Sequence, residues 1–235
     1  MAQNTGNAKN ILVGASPLFL SVNDSTTVGY VDNMEPGTAR SGVPTVSTKV
    51  PAFNANSSYI PTLNALDVNL AGGTDAAAYR NVGYTNNGLQ ITYNPSYGSV
   101  TVDQLLDTAK LFKESMEVMI ATEMAEGTLE NILVVFGQSR STLSGSTLGI
   151  EAGALGAAPT ERQLIAVGQA PTVSSPNSER VYYARRVLSV QQSQFSLARN
   201  NASTFPVTFR LLPSGDSAYA GQEYGKIIDR TWTVA

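Results

Sequence analysis

The sequence predicts a mainly β protein, an antiparallel β-sandwich or barrel with one short flanking helix at about 128–136. Three observations lead to this fold class: several runs alternate apolar and polar residues, turn-forming residues separate the runs, and one segment carries the capping pattern of a helix. All-β folds commonly form one domain at this length of 235 residues. We therefore expect a single domain over 1–235.

The alternating runs are clearest in the C-terminal third. QLIAVGQAP, RVYYARRVLSV, STFPVTFRLLP and YGKIIDRTWTV are separated by clusters of Pro, Asn, Ser and Gly, as antiparallel strands joined by turns would be. The run 63–72 alternates in the same way. The apolar run 11–22 predicts a further strand, and Pro17 within it is typical of a sheet edge or a bend.

A tight turn is predicted in the middle of the chain. The strand-like segments 82–84 and 89–93 flank TNNG, in which Asn87 and Gly88 tolerate the positive φ angles of a two-residue hairpin turn. We therefore expect the chain to fold back on itself at this point.

The short helix is predicted over 128–136 by its ends. Thr128 is a suitable N-cap, Glu130 lies in the first turn where the helix dipole favours a carboxylate, and Gly137 is a typical stop. The apolar residues of the segment share one face, so this helix is expected to pack against a sheet. They are Leu129, Ile132, Leu133 and Phe136.

The segment 102–126 supports two interpretations. Its Leu, Met, Glu, Lys and Ala residues and their helical spacing favour a helix. From Met116 onward, however, every second residue as far as Met124 lies on one face of an extended strand, with Glu117 and Glu123 on the other. Intrinsic propensity alone favours the helix.

Two segments are predicted to lie outside the regular strands. The region at about 24–62 contains four prolines among small residues, which indicates a projecting hairpin or an arm that becomes ordered against a neighbour. The region at about 138–161 is rich in small residues and is expected to be a flexible, exposed loop.

The composition excludes much of the usual chemistry. Without Cys or His, the chain has no thiolate, no disulfide and no imidazole for proton transfer or metal binding. Neither a phosphate-binding loop nor a nucleophile motif is present, so we expect no enzyme activity and no cofactor, metal or catalytic residue. We also expect no membrane span and no signal peptide, hence synthesis in the cytoplasm.

The charge balance points towards self-association. Only 14% of the residues are charged although 42% are hydrophobic, which leaves a surface with little charge to solvate it. The net charge of −3 argues against a sequence-independent grip on phosphates. Coverage of this surface by other copies of the chain or by partners is therefore expected, and the alternative is a monomer with an uncharged surface.

A family resemblance supplies a positive function. The order VGYTNNGLQITY, TVDQLLD, ATEMAEGTLENILVVFG and YGKIIDRTW resembles the tail tube (major tail) proteins of long-tailed bacteriophages, over about 66–136 and 224–232. This resemblance implies a tail-tube-like β-sandwich, hexameric rings that stack into a tube, and DNA ejection through the lumen without specific binding. It further implies a strand over 112–125 that lines the lumen.

The resemblance also implies partners and a location. The protein would contact itself, the tape-measure protein and the tail terminator or baseplate proteins, and it would be found in the virion tail after assembly in the host cytoplasm. Candidate lumen-lining residues are Glu114, Glu117 and Glu123, because an acidic wall would not retain passing phosphates. Candidate inter-ring contacts in the proline-rich arm are Pro36, Pro44, Pro51, Phe53 and Tyr59.

Two other functions fit a β-sandwich of this composition. One is a carbohydrate-binding or adhesive domain, and the other is a capsid decoration protein. In the first case exposed aromatic rings would serve as stacking platforms, and the candidates are Tyr59, Tyr79, Tyr84 and Tyr97.

Overall fold

The computed structural model describes residues 18–28, 30, 32, 34–36, 40–43, 68–69, 79–101, 107–171, 178–190, 194–195 and 203–234. Within these ranges the protein is mainly β, with one α-helix and two short 3-10 helices, 140–142 and 217–219. The helix α1 is Leu129–Val135. The strands are β1 Leu18–Ser21, β2 Glu35–Pro36, β3 Arg40–Val43, β4 Val68–Asn69, β5 Tyr79–Asn81, β6 Thr85–Thr101, β7 Thr108–Met124, β8 Leu143–Ser144, β9 Thr147–Leu148, β10 Arg162–Gln169, β11 Ser178–Ser189, β12 Phe205–Leu211 and β13 Gly225–Val234.

One branched sheet organises the molecule. Its main path runs β5-β1-β10-β11-β12-β7-β6, with every neighbouring pair antiparallel. Strand β11 is the branch point, because β13 pairs with its residues 178–184 and β12 with its residues 187–189. Strand β3 adds to β13 in parallel. The predicted class of an antiparallel, sandwich-like β fold with one helix is confirmed, and the described strands do not close into a barrel.

The main hydrophobic core lies on one face of the central strands. Leu18 and Leu20 of β1 contact it together with Leu164 of β10, and the alternate residues Phe19 and Ile165 point to the opposite face. Helix α1 and the inward residues of β12 and β7 cover this core. Both faces of β1 and β10 are therefore buried, which explains why these strands read as continuous apolar runs.

The second face of the same strands is covered by residues 32 and 34–36. The side-chain carbonyl of Gln163 accepts hydrogen bonds from the Tyr183 hydroxyl (2.8 Å) and from the Met34 amide (3.1 Å), and the Tyr79 hydroxyl donates to the Met34 carbonyl (2.8 Å). The Glu35 carboxylate accepts from both Arg185 and Lys226. The root of the predicted arm is thus fastened to four strands of the sheet, β5, β10, β11 and β13.

Glu35 compensates a buried charge. The Arg185 side chain is fully buried, and its guanidinium carbon lies 3.5 Å from the ring centroid of Tyr219. Burial would raise the pKa of the Glu35 carboxyl, but the hydrogen bonds from Lys226 and Arg185 outweigh it and hold that pKa below its usual value. Strand β2 is therefore held on the sheet by charge as well as by packing.

The predicted helix over 128–136 is confirmed. The Thr128 hydroxyl accepts from the Asn131 amide at 3.2 Å, as expected of the N-cap. At the other end the Gly137 amide donates to Val134 and the Gln138 amide donates to Leu133, which is a Schellman motif with Gly137 at φ 66°. Local capping residues therefore set both ends of α1.

The hairpin turn predicted at Asn87-Gly88 is wrong. Both residues adopt the positive φ angles that the dipeptide favours, 60° and 67°. The chain nevertheless continues in one direction as β6, and β7 pairs with it on both sides of the dipeptide. Asn86 lies opposite Glu123 and Gln90 opposite Ala121, so residues 87–89 form a bulge against Thr122. The partner strand overrides the local turn signal.

The helical propensity of 102–126 does not determine its structure. Residues 108–124 form strand β7, in agreement with the resemblance-based expectation of a strand over 112–125. The alternation from Met116 to Met124 places Val118, Ile120 and Met124 in the core. Burial of one strand face against β12 outweighs the helical preference of its residues.

The segment at about 138–161 contains a 3-10 turn and the small hairpin β8–β9. Its start is fastened to the loop after β1 by the buried Asp24, which accepts from the Arg140 amide at 2.6 Å. Gln138 and Glu151 exchange two hydrogen bonds across the loop, and residues 151–159 are exposed. Most of the strand predicted over 63–72 and most of the arm predicted at 24–62 lie outside the described residues.

Candidate functional site: the β6–β7 hairpin

The outstanding feature of the molecule is the pair β6–β7. Each strand has 17 residues, against a typical length of about 5–6 in globular proteins. At about 3.3 Å per residue the pair extends roughly 55 Å. Strand β12 covers only residues 119–124 of β7, so the remainder of the pair projects beyond the sheet that supports it.

This projecting hairpin has two edges without a strand partner. Strand β6 ends the sheet, so its outer edge pairs with no other described strand. The outer edge of β7 has no strand partner over 108–118 within the described ranges, although the Tyr224 hydroxyl donates to the Met116 carbonyl at 3.3 Å. Unpaired strand edges of this length are a template for pairing with another chain.

One face of the hairpin, here called the apolar face, continues the hydrophobic core outward. Tyr93 lies opposite Val118, and Tyr97 lies opposite Lys113 farther out. Val118 is buried, whereas Tyr93 and Tyr97 are 60% and 59% exposed. Leu111, also on this face, is 65% exposed. The apolar face therefore runs from the core into solvent without covering residues among those described, which is typical of an interface.

The opposite face, here called the polar face, carries the predicted acidic residues. Glu117 lies opposite Asn94, and Glu123 lies opposite Asn86, whose side-chain amide donates to it at 3.3 Å. From β6 this face presents the small or polar residues Gln90, Thr92 and Ser96, and β7 adds the exposed Phe112 opposite Gly98. Glu117 and Glu123 therefore occupy one face of one sheet, as alternation along a strand requires.

Glu114 joins the same face through an irregularity. The register shifts between the pairs Ser96–Ser115 and Tyr97–Lys113. As a result, Glu114 has no residue of β6 directly opposite it. A Cβ atom built on Gly98 would collide with the Glu114 carboxylate, so this side chain lies over Gly98. All three predicted acidic residues are thus brought together on the polar face, and their assignment to a lumen wall stays a prediction.

Basic residues on the polar face were not predicted. Arg210 of β12 lies 3.5 Å from Glu117, and Lys110 lies opposite Val100 towards the tip. The signal for Arg210 was present in the sequence, because STFPVTFRLLP alternates and so directs Arg210 away from the buried Phe209. The charge of this face is therefore mixed, with acidic residues in excess.

The predicted inter-ring residues are mostly outside the described ranges. Pro44, Pro51, Phe53 and Tyr59 lie outside the described residues, and Pro36 is buried in β2, where it pairs with Val68. Their role between rings stays a prediction.

The aromatic residues of the carbohydrate-binding alternative separate into two groups. Tyr84 and Tyr97 are exposed, as that function would require. Tyr79 is buried and hydrogen-bonded to the Met34 carbonyl, so its predicted role as a stacking platform is wrong. Burial raises the pKa of the Tyr79 hydroxyl, in keeping with a structural residue. Tyr59 lies outside the described residues.

Within the described ranges no group of three or more acidic side chains is arranged to hold a metal ion. In the same ranges no helix is long and apolar enough to cross a membrane. No protein-family model matches the sequence, and no curated protein compared with it matches either. The hairpin is therefore the feature on which a functional proposal rests.

Proposed function

We propose that the protein is a structural subunit of a bacteriophage tail, the tail tube (major tail) protein, which forms hexameric rings that stack into a conduit for DNA ejection. The observation that carries the proposal is the projecting hairpin with two open strand edges. The resemblance described above supplies the ring size and the virion location. Assembly would take place in the host cytoplasm, with the tape-measure and the terminator or baseplate proteins as further partners.

The two open edges favour a closed ring. Because β6 and β7 are antiparallel, β6 of one copy can lie antiparallel to β7 of the next copy, and that copy again offers an open β6 edge. Such a contact joins two different surfaces, so it repeats until a rotation closes it into a ring. Closure into a barrel removes every exposed edge that would otherwise pair without control.

The two faces of the hairpin suit different surroundings in such a ring. The apolar face, with Tyr93, Tyr97 and Leu111 exposed, would be covered by the neighbouring copies. The polar face would then line the channel with Glu114, Glu117 and Glu123. Carboxylates repel the DNA backbone, so DNA would pass without being held. Arg210 also lies on this face, but it is 3.5 Å from Glu117, so the Glu117 carboxylate largely compensates the positive charge of Arg210.

Negative-stain electron microscopy of the purified protein tests this proposal. The wild type is expected to form long hollow cylinders as its concentration rises. Tyr97→Lys adds a second positive charge to the apolar face, opposite Lys113 and at an exposed position, so it should fold but remain small. Ile150→Lys is the matched control, because Ile150 is also exposed but lies on the loop after β9.

Ile150→Lys should assemble like the wild type. The proposal fails if the wild type stays a single globule at every concentration, or if Tyr97→Lys forms cylinders as readily as the control. Cylinder formation also separates this function from a capsid decoration protein or a glycan-binding domain, neither of which requires a tube.

A further inference from the structure

The bulge in β6 contains a dipeptide with its own chemistry. Asn87-Gly88 is the only Asn-Gly pair in the sequence. Residues 87–89 form no ladder pair with β7, although the Thr122 hydroxyl donates to the Gly88 carbonyl at 2.8 Å and pairing resumes at Gln90. The main chain at both Asn87 and Gly88 is in the left-handed region, with φ 60° and 67°.

The side chain of Asn87 is exposed, and no hydrogen bond to it is formed by any described residue. Around Gly88 the space is open, since a Cβ built there has no neighbouring atom within 4 Å. The neighbouring Asn86 differs, because its amide donates to Glu123 and its own successor carries a side chain. Unlike Asn86, Asn87 therefore combines a side-chain amide that no described residue hydrogen-bonds with an unshielded nitrogen in the next residue.

We propose that Asn87 is a site of spontaneous modification, in which its side-chain amide is converted to a carboxylate through a cyclic imide. The main-chain nitrogen of Gly88 attacks Cγ of Asn87, and the bond from Cγ to the side-chain nitrogen breaks. That nitrogen leaves as ammonia and takes the proton from the Gly88 amide. Water then opens the imide at either carbonyl, giving aspartate or isoaspartate. One water is consumed and one ammonia is released, so no oxidant or reductant is needed.

The modification changes the hairpin at a defined point. It adds one negative charge to a chain of net charge −3, next to Asn86 and its partner Glu123. The isoaspartate product also lengthens the main chain of the bulge by one carbon atom. This inference does not rest on the proposed function.

Peptide mapping by tandem mass spectrometry tests the inference. The full-length protein is incubated at neutral and mildly alkaline pH, digested with trypsin, and the peptide 81–110 is followed by electron-transfer fragmentation, which distinguishes isoaspartate from aspartate. Asn87 should gain one mass unit and release ammonia in equal amount, faster at the higher pH. Asn86 and Asn94, on the same peptide, serve as internal references and should remain amides.

Two glycine variants separate the chemistry from any effect of backbone strain. Gly88→Ala adds a methyl group that shields the attacking nitrogen, so it should slow the conversion of Asn87 about tenfold or more. Gly145→Ala is the matched control, because Gly145 also has positive φ (57°) and open space around its Cβ position. It should convert like the wild type. Retention of the Asn87 amide while Asn86 or Asn94 converts, or an unchanged rate in Gly88→Ala, overturns the inference.

Discussion

The carboxylate of Asp24 lies 3.0 Å from the guanidinium of Arg162, and the two side chains are 0% and 6% exposed. Asp24 follows β1 and Arg162 begins β10, so this ion pair fastens a loop to the start of a central strand. Asp24 also accepts hydrogen bonds from Thr26 (2.6 Å) and from the Arg140 amide (2.6 Å). One carboxylate thus holds together the loop after β1, the turn after α1 and the sheet.

Removing this charge should destabilise the protein strongly. Asp24→Asn leaves Arg162 buried without its counter-charge, so we expect the free energy of unfolding to fall by about 3 kcal/mol. Urea unfolding followed by circular dichroism measures this. The control is Asp229→Asn, since Asp229 pairs with Arg180 at 2.5 Å but is half-exposed, and its loss should cost less than about 1 kcal/mol. Equal losses in the two variants would contradict the role of burial.

The same carboxylate predicts a dependence on pH. Burial raises the pKa of Asp24, but hydrogen bonds from Thr26 and Arg140 and the charge of Arg162 outweigh it and leave the pKa below 3.8. The folded state therefore binds the proton less readily than the unfolded state. The stabilisation that this carboxylate provides is fully present above pH 3.8. It is lost as the pH falls through the lower pKa that Asp24 has in the folded state. Acid titrations of wild type and Asp24→Asn should converge there, and parallel curves would contradict this.

Glu35 is expected to hold the root of the arm on the sheet. Glu35→Gln leaves the buried Arg185 without a charged partner, so stability should fall by about 2–3 kcal/mol. Hydrogen exchange should also accelerate at the Met34 amide, which donates to Gln163. The exposed Glu151→Gln serves as the control and should change stability by less than about 0.5 kcal/mol. Unchanged protection at Met34 would mean that packing alone holds this segment.

The N-cap of α1 offers a smaller, local test. Thr128→Ala removes the hydroxyl that accepts from the Asn131 amide, so the free energy of unfolding should fall by about 1 kcal/mol. Thr147→Ala, at an exposed position in β9, removes a similar hydroxyl without a cap and should have little effect. Denaturant unfolding of both variants measures the difference, and a loss of equal size in the two would argue against capping.

The acidic residues of the polar face can be tested in a phage. Glu117→Lys combined with Glu123→Lys should leave tubes assembling but slow DNA ejection, because lysines in the channel would bind passing phosphates. Glu151→Lys changes charge by the same amount per residue on an exposed loop and should not affect ejection. Ejection kinetics from purified virions provide the measurement. Normal kinetics in the double variant would remove these residues from the channel wall.

Residues within a segment predicted those helices and strands that depend mainly on the segment's own capping residues or alternation. Helix α1 follows from Thr128 and Gly137, and β12 follows from alternation, because only one of its faces is buried. Asn87 and Gly88 show the limit of such signals. Their φ angles were predicted correctly, but a dipeptide cannot indicate whether a partner strand continues past it, and here β7 does.

The candidate site was predictable only in part. Glu117 and Glu123 could be assigned to one face from their spacing, whereas Glu114 joins them through a register shift that depends on β6. The fastening of Glu35 could not be foreseen, since Arg185 and Lys226 are 150 and 191 residues away in sequence. Contacts at such separations are set by the sheet order, which a single sequence does not contain.

The branch at β11 gives the molecule a mechanical weak point. Strand β12, which carries the whole β6–β7 hairpin, pairs with β11 only over 187–189, whereas β13 pairs with it over 178–184. Tension applied to the hairpin tip is therefore transmitted through β12 to this short seam. Backbone hydrogen bonds from Leu212 to Arg186 and from Val190 to Thr208 flank the seam. With three residue pairs it is still shorter than the six-pair ladder between β12 and β7, so under load it should act as the pivot about which the hairpin tilts.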